Sequence, residues 1–279
     1  MAVTSFKRDL WVSAILEEYR GLTIADLITK KPDEVNGAKA IFNTVALTNG
    51  LQDYAGTVTF ETANTTAINL VFDKAKYFAY QVGDLDKVQA AGDLLQPLAN
   101  KMAYQVKKDI DTSVLAEAVT GVLSANTIGS KSTKKAIATA DEAYEYIVDL
   151  GTKLDGKDVP EVGRYVIAAP EFVNMLAKDK RVVDNAPVLA NGVVQGMEIN
   201  GMQVIKSNLV PANTVIALHN EAVGYGKQLD EIEAMRLQSA FADGVRGLVS
   251  YGVKTLRPEG IAVLHYSIGA TTPATPAQG

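Results

Sequence analysis

The stretch YFAYQVGDLDKVQA, residues 77–90, holds the change of period on which the fold turns. Up to Gly83 it reads as a strand, apolar and aromatic; beyond it Leu85, Val88 and Ala91 recur at helical spacing. Asp84 and Asp86 stand at the junction. Two residues apart, they do not share a helix face, and acidic side chains at a helix start are favoured by capping and by the dipole. A calcium loop of the EF-hand type needs more oxygen ligands at fixed spacing and a closing Glu, and Lys87, Val88 and Gln89 break that series. The junction reads as architecture rather than chemistry.

Downstream, Asp93 is suited to cap a longer helix running to about Thr120, with Pro97 in its first turn, where a missing N–H is harmless. Leu95, Leu98, Met102, Val106, Ile110 and Val114 mark its apolar face. About 28 residues at 1.5 Å each make a rod of about 42 Å, a structural spine. Upstream, strand signals occur at 57–62, 68–72 and 75–82, with Asn49-Gly50 as a turn. An isolated two-stranded ribbon is marginal in water, so this one must lean on other surfaces. Still earlier, Leu10, Trp11, Ala14, Ile15 and Tyr19 recur at helical spacing before Gly21. This fits either an arm reaching another chain or a helix folded onto its own domain.

Beyond the spine, 124–135 is small and polar, a loop. Thr139-Ala140-Asp141-Glu142 is a capping box opening a helix to about Leu154. A buried strand follows at 164–169, then Pro170 at the first position of a helix over 171–178. Asn200-Gly201 signals a tight hairpin. Further strands are expected at 214–218, 232–237, 245–256 and 261–267, and the last residues, GATTPATPAQG, form a low-complexity tail.

Composition bounds the function. With 279 residues, 47% hydrophobic and 21% charged, the chain can build a large globular core. No apolar run approaches the ~20 residues of a membrane span, and the first residues, MAVTSFKRDLW, show no apolar export signal. The absence of cysteine removes disulfides and thiolate metal sites. A formal charge of −5, without a long Lys/Arg-dense run, argues against broad phosphate neutralisation. Only two histidines, His219 and His265, supply the usual acid–base chemistry.

The remaining motifs fail on context. Gly151-Thr-Lys-Leu-Asp-Gly156-Lys157 has P-loop spacing, but Asp158 replaces the magnesium-binding hydroxyl, and a helix precedes where a strand is required. Gly224-Tyr-Gly226 lacks the third glycine of a dinucleotide fingerprint, and there is no G-x-S-x-G. His265 sits in an apolar strand and reads as packed; His219 beside Asn220 and Glu221 reads as a loop residue. No catalytic, cofactor-binding or metal-ligating residue is expected.

The order of these elements resembles the major capsid proteins of tailed bacteriophages, the Hong Kong 97-type shell fold. The resemblance rests on residues 77–90, the spine from Asp93, the strand from Arg164 to Pro170 with Phe172 and Leu176, and SAFADGVRGLVSYGVKTLRPE at 239–259. It implies an α+β protein with an N-arm at 1–36, an extended β-hairpin loop at 37–83 and a peripheral domain with the spine helix at 84–130. An axial domain at 131–244, returning peripheral strands at 245–268 and a flexible tail at 269–279 complete it. It also implies assembly with copies of itself, as hexamers and pentamers, into the icosahedral head of a double-stranded DNA phage. The virion would be built in the host cytoplasm with a separate scaffolding protein and a portal, enclosing DNA without reading its sequence. No membrane and no cofactor are implied. Trp11, Phe60, Phe72 and Tyr77 are the candidate inter-subunit contacts, with core packing the alternative for each. An encapsulin-like nanocompartment shell is the nearest rival reading, and an α/β enzyme using carboxylates and lysines a more distant one.

Overall fold

A computed structural model describes residues 23–36, 39–46, 64–83, 95–185, 197–237 and 242–269. The expected helix around Trp11, the strand containing Phe60, the helix opening at Asp84, the Asp93 cap and the tail past Gly269 lie outside the described residues. The chain divides into two units. One comprises Met1–Glu18, Lys31–Met102 and Gly224–Lys254, the other Tyr19–Lys30, Ala103–Val223 and Thr255–Gly279. Strand pairing, rather than chain order, decides which residues share a core, so these units cut across the expected domain boundaries.

The second unit is organised by a seven-stranded mixed sheet. Its strands are β5 (Thr127–Ile128), β6 (Lys135–Ile137), β7 (Arg164–Ala168), β8 (Glu198–Ile199), β9 (Met202–Lys206), β10 (Thr214–His219) and β13 (Ile261–Ile268). Their order is β5-β13-β10-β7-β9-β8, with β6 also pairing to β13. The two pairings that hold β5 and β6 to β13 are parallel. Residues 124–135, expected to be loop throughout, thus contain a 3-10 turn at Ser124–Asn126 and the short strand β5, and β6 begins at Lys135. Two or three residues leave no periodicity to read; pairing alone defines these strands.

Helix α3 (Ala140–Asp155) packs on this sheet. Thr139 Oγ1 accepts the Glu142 N–H at 3.2 Å while the Glu142 carboxylate takes the Thr139 N–H at 3.4 Å, the capping box written in the sequence, and also the Ala138 N–H at 2.7 Å. Ala143, Ile147, Leu150 and Leu154 form its buried stripe and meet Phe172, Leu176, Val166 and Tyr266 in one core. Helix α4 (Pro170–Leu176) starts with its proline as expected, and a short helix α5 (Lys180–Asn185) follows. The Phe172 and Tyr266 rings stand 5.1 Å apart at 54°. Asn200-Gly201 turns β8 into β9 with both residues at positive φ.

The spine, helix α2 (Leu95–Gly121), has 27 residues and a length of about 40 Å. In the second unit it buries Ile110, Val114, Leu115 and Ala118. Its buried Asp111 accepts the Ala25 N–H at 2.8 Å. Ala25 belongs to helix α1 (Ile24–Ile28), which carries its own capping box through Thr23 and Asp26. The end of the expected N-arm is therefore pinned to the spine of its own chain, with Ala25 and Ile28 fully buried. At the spine's other end, Asn126 Nδ2 donates to Glu259 O and Ile261 O at 3.1 and 3.0 Å.

The first unit is built from ribbons. Strands β1 (Glu34–Asn36), β2 (Lys39–Ala46) and β3 (Asn64–Val71) form one antiparallel sheet. Ala40 opposite Leu70 and Phe42 opposite Ile68 make its apolar face. A second sheet, in the order β11-β12-β4, holds β4 (Lys74–Gly83), β11 (Val223–Arg236) and β12 (Ala242–Thr255). β11 is far longer than the 232–237 segment its pattern suggests, because Gly224 and Gly226 mask the alternation. Glycines let the ribbons touch: a Cβ at Gly226 would meet the Phe72 ring at 2.8 Å and Ala40 at 3.1 Å, and one at Gly252 would strike the Val71 carbonyl.

Candidate assembly surfaces

β4 ends at Gly83, where the opening stretch ends its strand, and the longer helix α2 is running by Leu95. Asp84 and Asp86 themselves lie outside the described residues. The glycine-lysine segment resolves into packing. Gly151 is buried in α3 where a Cβ would meet Asn200 Nδ2 at 2.5 Å, and Gly156 is the helix C-cap. The connection into β7 is held by the buried Arg164, which donates to Pro160 O at 2.9 Å, Val159 O at 2.5 Å and Asp155 Oδ1 at 2.6 Å. That arrangement clamps a turn and leaves no phosphate cradle.

The histidines are structural. His219, expected in a loop, is the buried last residue of β10; its Nδ1 accepts the Glu221 N–H at 3.2 Å, and Nε2 lies 3.0 Å from Val162 O. Strand pairing to Arg164 carries β10 one residue past its apolar run. His265 is buried as expected, with Nδ1 3.4 Å from Thr214 Oγ1. Burial, helped by the charges of Lys131 and Lys134, holds it below the ordinary histidine range. Burial and then Glu171 push the Tyr266 hydroxyl above the ordinary tyrosine range. Arg181 bridges elements: it donates to Asp179 at 2.8 and 3.1 Å, pairs with Asp141 and lies 4.1 Å from the Tyr144 ring centroid. Its hydrogen bonds hold the Asp179 carboxyl below the usual range. Among the described residues no group of three or more His, Asp or Glu is placed to hold a metal ion.

Exposed apolar surface gathers instead on the β4–β12 ribbon. Register sets Tyr77 opposite Leu248 and Ala79 opposite Arg246, while Val245, Gly247 and Val249 alternate to the buried side. Tyr77 is 82% exposed and Leu248 41%, directly across the ladder from each other. Beside them, a shallow apolar cleft of about 300 Å³ is lined by Ala79, Tyr80, Met235, Leu237 and Val245 among others. β4 forms an edge of this sheet among the described residues, and an apolar edge is a template for association. Of the expected contacts, Tyr77 is thus out in solvent. Phe72 is half-buried with its ring over Gly226 of its own chain. Trp11 and Phe60 lie outside the described residues. Leu248 was not anticipated, since only the register reveals that it stands beside Tyr77.

A family model described as phage capsid protein matches residues 71–264, well over half of the chain. The chain belongs to the phage capsid protein family. This capsid protein is similar over its length to solved structures of the same fold. A structure from Mycobacterium phage Che8 is 25% identical with a TM-score of 0.69, covering 89% of this chain and 93% of that one. The capsid of the cyanophage P-SCSP1u is 17% identical with a TM-score of 0.70, covering 90% of each chain. The virus-like particle from Pyrococcus furiosus is 15% identical with a TM-score of 0.56, covering 92% of this chain and 99% of that one. No curated protein matches the chain. The α+β architecture is that of the Hong Kong 97-type capsid proteins, and the capsid protein is a self-assembling subunit of a virion shell.

Proposed function

We propose that this is the major capsid protein of a tailed double-stranded DNA bacteriophage, assembling as hexamers and pentamers into an icosahedral head. The observation that carries the reading is the ribbon unit: two thin antiparallel sheets, with the apolar pair Tyr77 and Leu248 exposed near an open edge. Copies of the chain covering that surface bury it. Each contact is weak alone, and a subunit set among several neighbours is held by their sum. In the proposed division, residues 1–36 are the N-arm, 37–83 the extended loop, and 84–130 with 245–268 the peripheral domain. Residues 131–244 form the axial domain and 269–279 a tail. Strand β13 of the returning segment shares its sheet with β7 and β10, so the proposed peripheral and axial domains join through a common sheet. Trp11, Phe60 and Tyr77 serve as inter-subunit contacts, and Phe72 packs on Gly226 of its own chain. The role is structural rather than enzymatic. Assembly takes place in the host cytoplasm with scaffolding and portal partners, and the finished shell encloses double-stranded DNA.

A nanocompartment shell is the alternative, since the virus-like particle above shares the fold. The phage family match favours the viral reading. Shortening the loop within 50–62, which spares β3 and its pairing to β2, tests the loop's role: the subunit is expected to stay soluble and folded by circular dichroism yet form no shells by electron microscopy. Normal particles from the deletion would overturn it.

A further inference from the structure

The turn at 129–135, Gly-Ser-Lys-Ser-Thr-Lys-Lys, places Lys131, Lys134 and Lys135 within five positions. Between Glu117 and Asp141 the chain has these three lysines and no carboxylate. The turn is built, not slack. Ser130 N–H donates to Thr133 O at 2.8 Å, and Thr133 N–H donates to Ser130 Oγ at 2.8 Å. Gly129 takes a φ of 75°, and an added Cβ there would meet His265 O at 2.9 Å. Lys135 is fixed opposite Tyr266 where β6 joins β13. All three lysines are exposed, and none forms an ion pair among the described residues. The next carboxylates along the chain are engaged elsewhere, Asp141 with Arg181 and Glu142 in the capping box. Lys131 and Lys134 both act on the buried His265, so their charges converge on one place.

We propose that this turn is a sequence-independent contact for the phosphate backbone of duplex DNA enclosed by the shell; the inference rests on the capsid reading above. The lysines are separated only by serine and threonine, and the turn offers no apolar side chain. Protein interfaces are depleted of lysine and centred on apolar anchors, whereas ammonium groups and hydroxyls suit phosphate oxygens. On a subunit of net charge −5 the contact is local, so the wall as a whole still repels what it confines. Three cations per subunit bind weakly, but every copy presents them to one long polyanion.

The test uses the full-length unassembled subunit and a fluorescent 30-bp duplex, titrated by anisotropy from low to moderate salt. Replacing all three lysines (K131Q, K134Q, K135Q) is expected to weaken binding at least tenfold at low salt. It should also make the slope of log K against log salt shallower by up to about 2.7. A control variant removing the same charge at exposed Lys153, Lys157 and Lys178 is expected to keep wild-type slope. Unchanged duplex binding in the first variant overturns the proposal, and so does an equal loss in the control. Poly-glutamate binding as tightly as the duplex would also overturn it, in favour of an acidic protein partner. Shell formation is scored separately by electron microscopy: failure of the wild-type protein to build shells when co-expressed with its scaffolding protein overturns the capsid reading, not the lysine contact.

Discussion

Strands β13, IAVLHYSI, and β4, KAKYFAYQVG, are both rich in apolar and aromatic residues, and they meet opposite fates. Every residue of β13 from Ile261 to Tyr266 is buried, between partner strands and beneath α3. Along β4, Ala75, Lys76, Tyr77, Ala79, Tyr80 and Gln81 are exposed, with β12 as the paired neighbour. A strand's composition says that it wants burial; its place in the sheet decides whether its own chain provides it. The seven-stranded unit is complete in one molecule. In the function proposed above the ribbon unit is finished by other copies, and this is the physical content of calling the protein a shell subunit.

If that contrast is right, damage to the complete unit must appear as lost folding. Phe172→Ala removes a fully buried ring from the centre of the core and should cost about 3–5 kcal/mol. Chemical denaturation of the unassembled subunit would read this as a lower midpoint, with assembly lost as a consequence. Arg164→Met should cost less, about 2–4 kcal/mol, because three acceptors lose a charged donor while the aliphatic stem still packs. Asp155 is half-exposed and regains water, which keeps the effect below that of the ring.

In the ribbon the same scale of change should spare folding and strike assembly. Tyr77→Ser alters a side chain that is 82% exposed, so subunit stability should move by no more than about 0.5 kcal/mol. The concentration needed for shells should rise about tenfold, equivalent to about 1.4 kcal/mol for one buried aromatic contact. Light scattering against protein concentration measures it. A Tyr77 variant that unfolds like Phe172→Ala would erase the distinction between the two units.

Much of the fold was legible where local chemistry governs. Thr139 and Glu142 announce a helix start, Asn200-Gly201 a hairpin, and the spacing from Met102 to Val114 a spine, because each signal acts within a few residues. What stayed hidden depends on partners distant in the chain. Helix α1 has five residues and no readable period; Asp111, 86 positions away, binds its first turn. β5 and β6 exist because β13 lies beside them, and His219 ends a strand because Arg164 pairs with it. The candidate surface was half legible: Tyr77 could be named from the sequence, but Leu248 becomes its neighbour through a register no local rule gives. The lysine turn is written locally as KSTKK, and an acidic total charge averages it out.

The smallest expected effect probes the complete unit through pH. Folded His265 sits below its ordinary value of 6.5, chiefly through burial and secondarily through Lys131 and Lys134. Above pH 6.5 both folded and unfolded chains hold a neutral imidazole, so this group gives no pH dependence there. As the pH falls below 6.5 the unfolded chain takes the proton first, and stability is lost until the folded histidine protonates as well. One proton limits the slope to about 1.4 kcal/mol per pH unit. His265→Gln should flatten the stability profile in that window. Every other ionisable group is common to both proteins and cancels in the difference. Neutralising Lys131 and Lys134 should shrink the slope without abolishing it, because burial is the larger cause. If the lysine changes removed the slope entirely, His265 would be responding to the exposed turn rather than to the core. The sealed strand would then be open to solvent charge at that end, and the contrast between β13 and β4 would be one of degree.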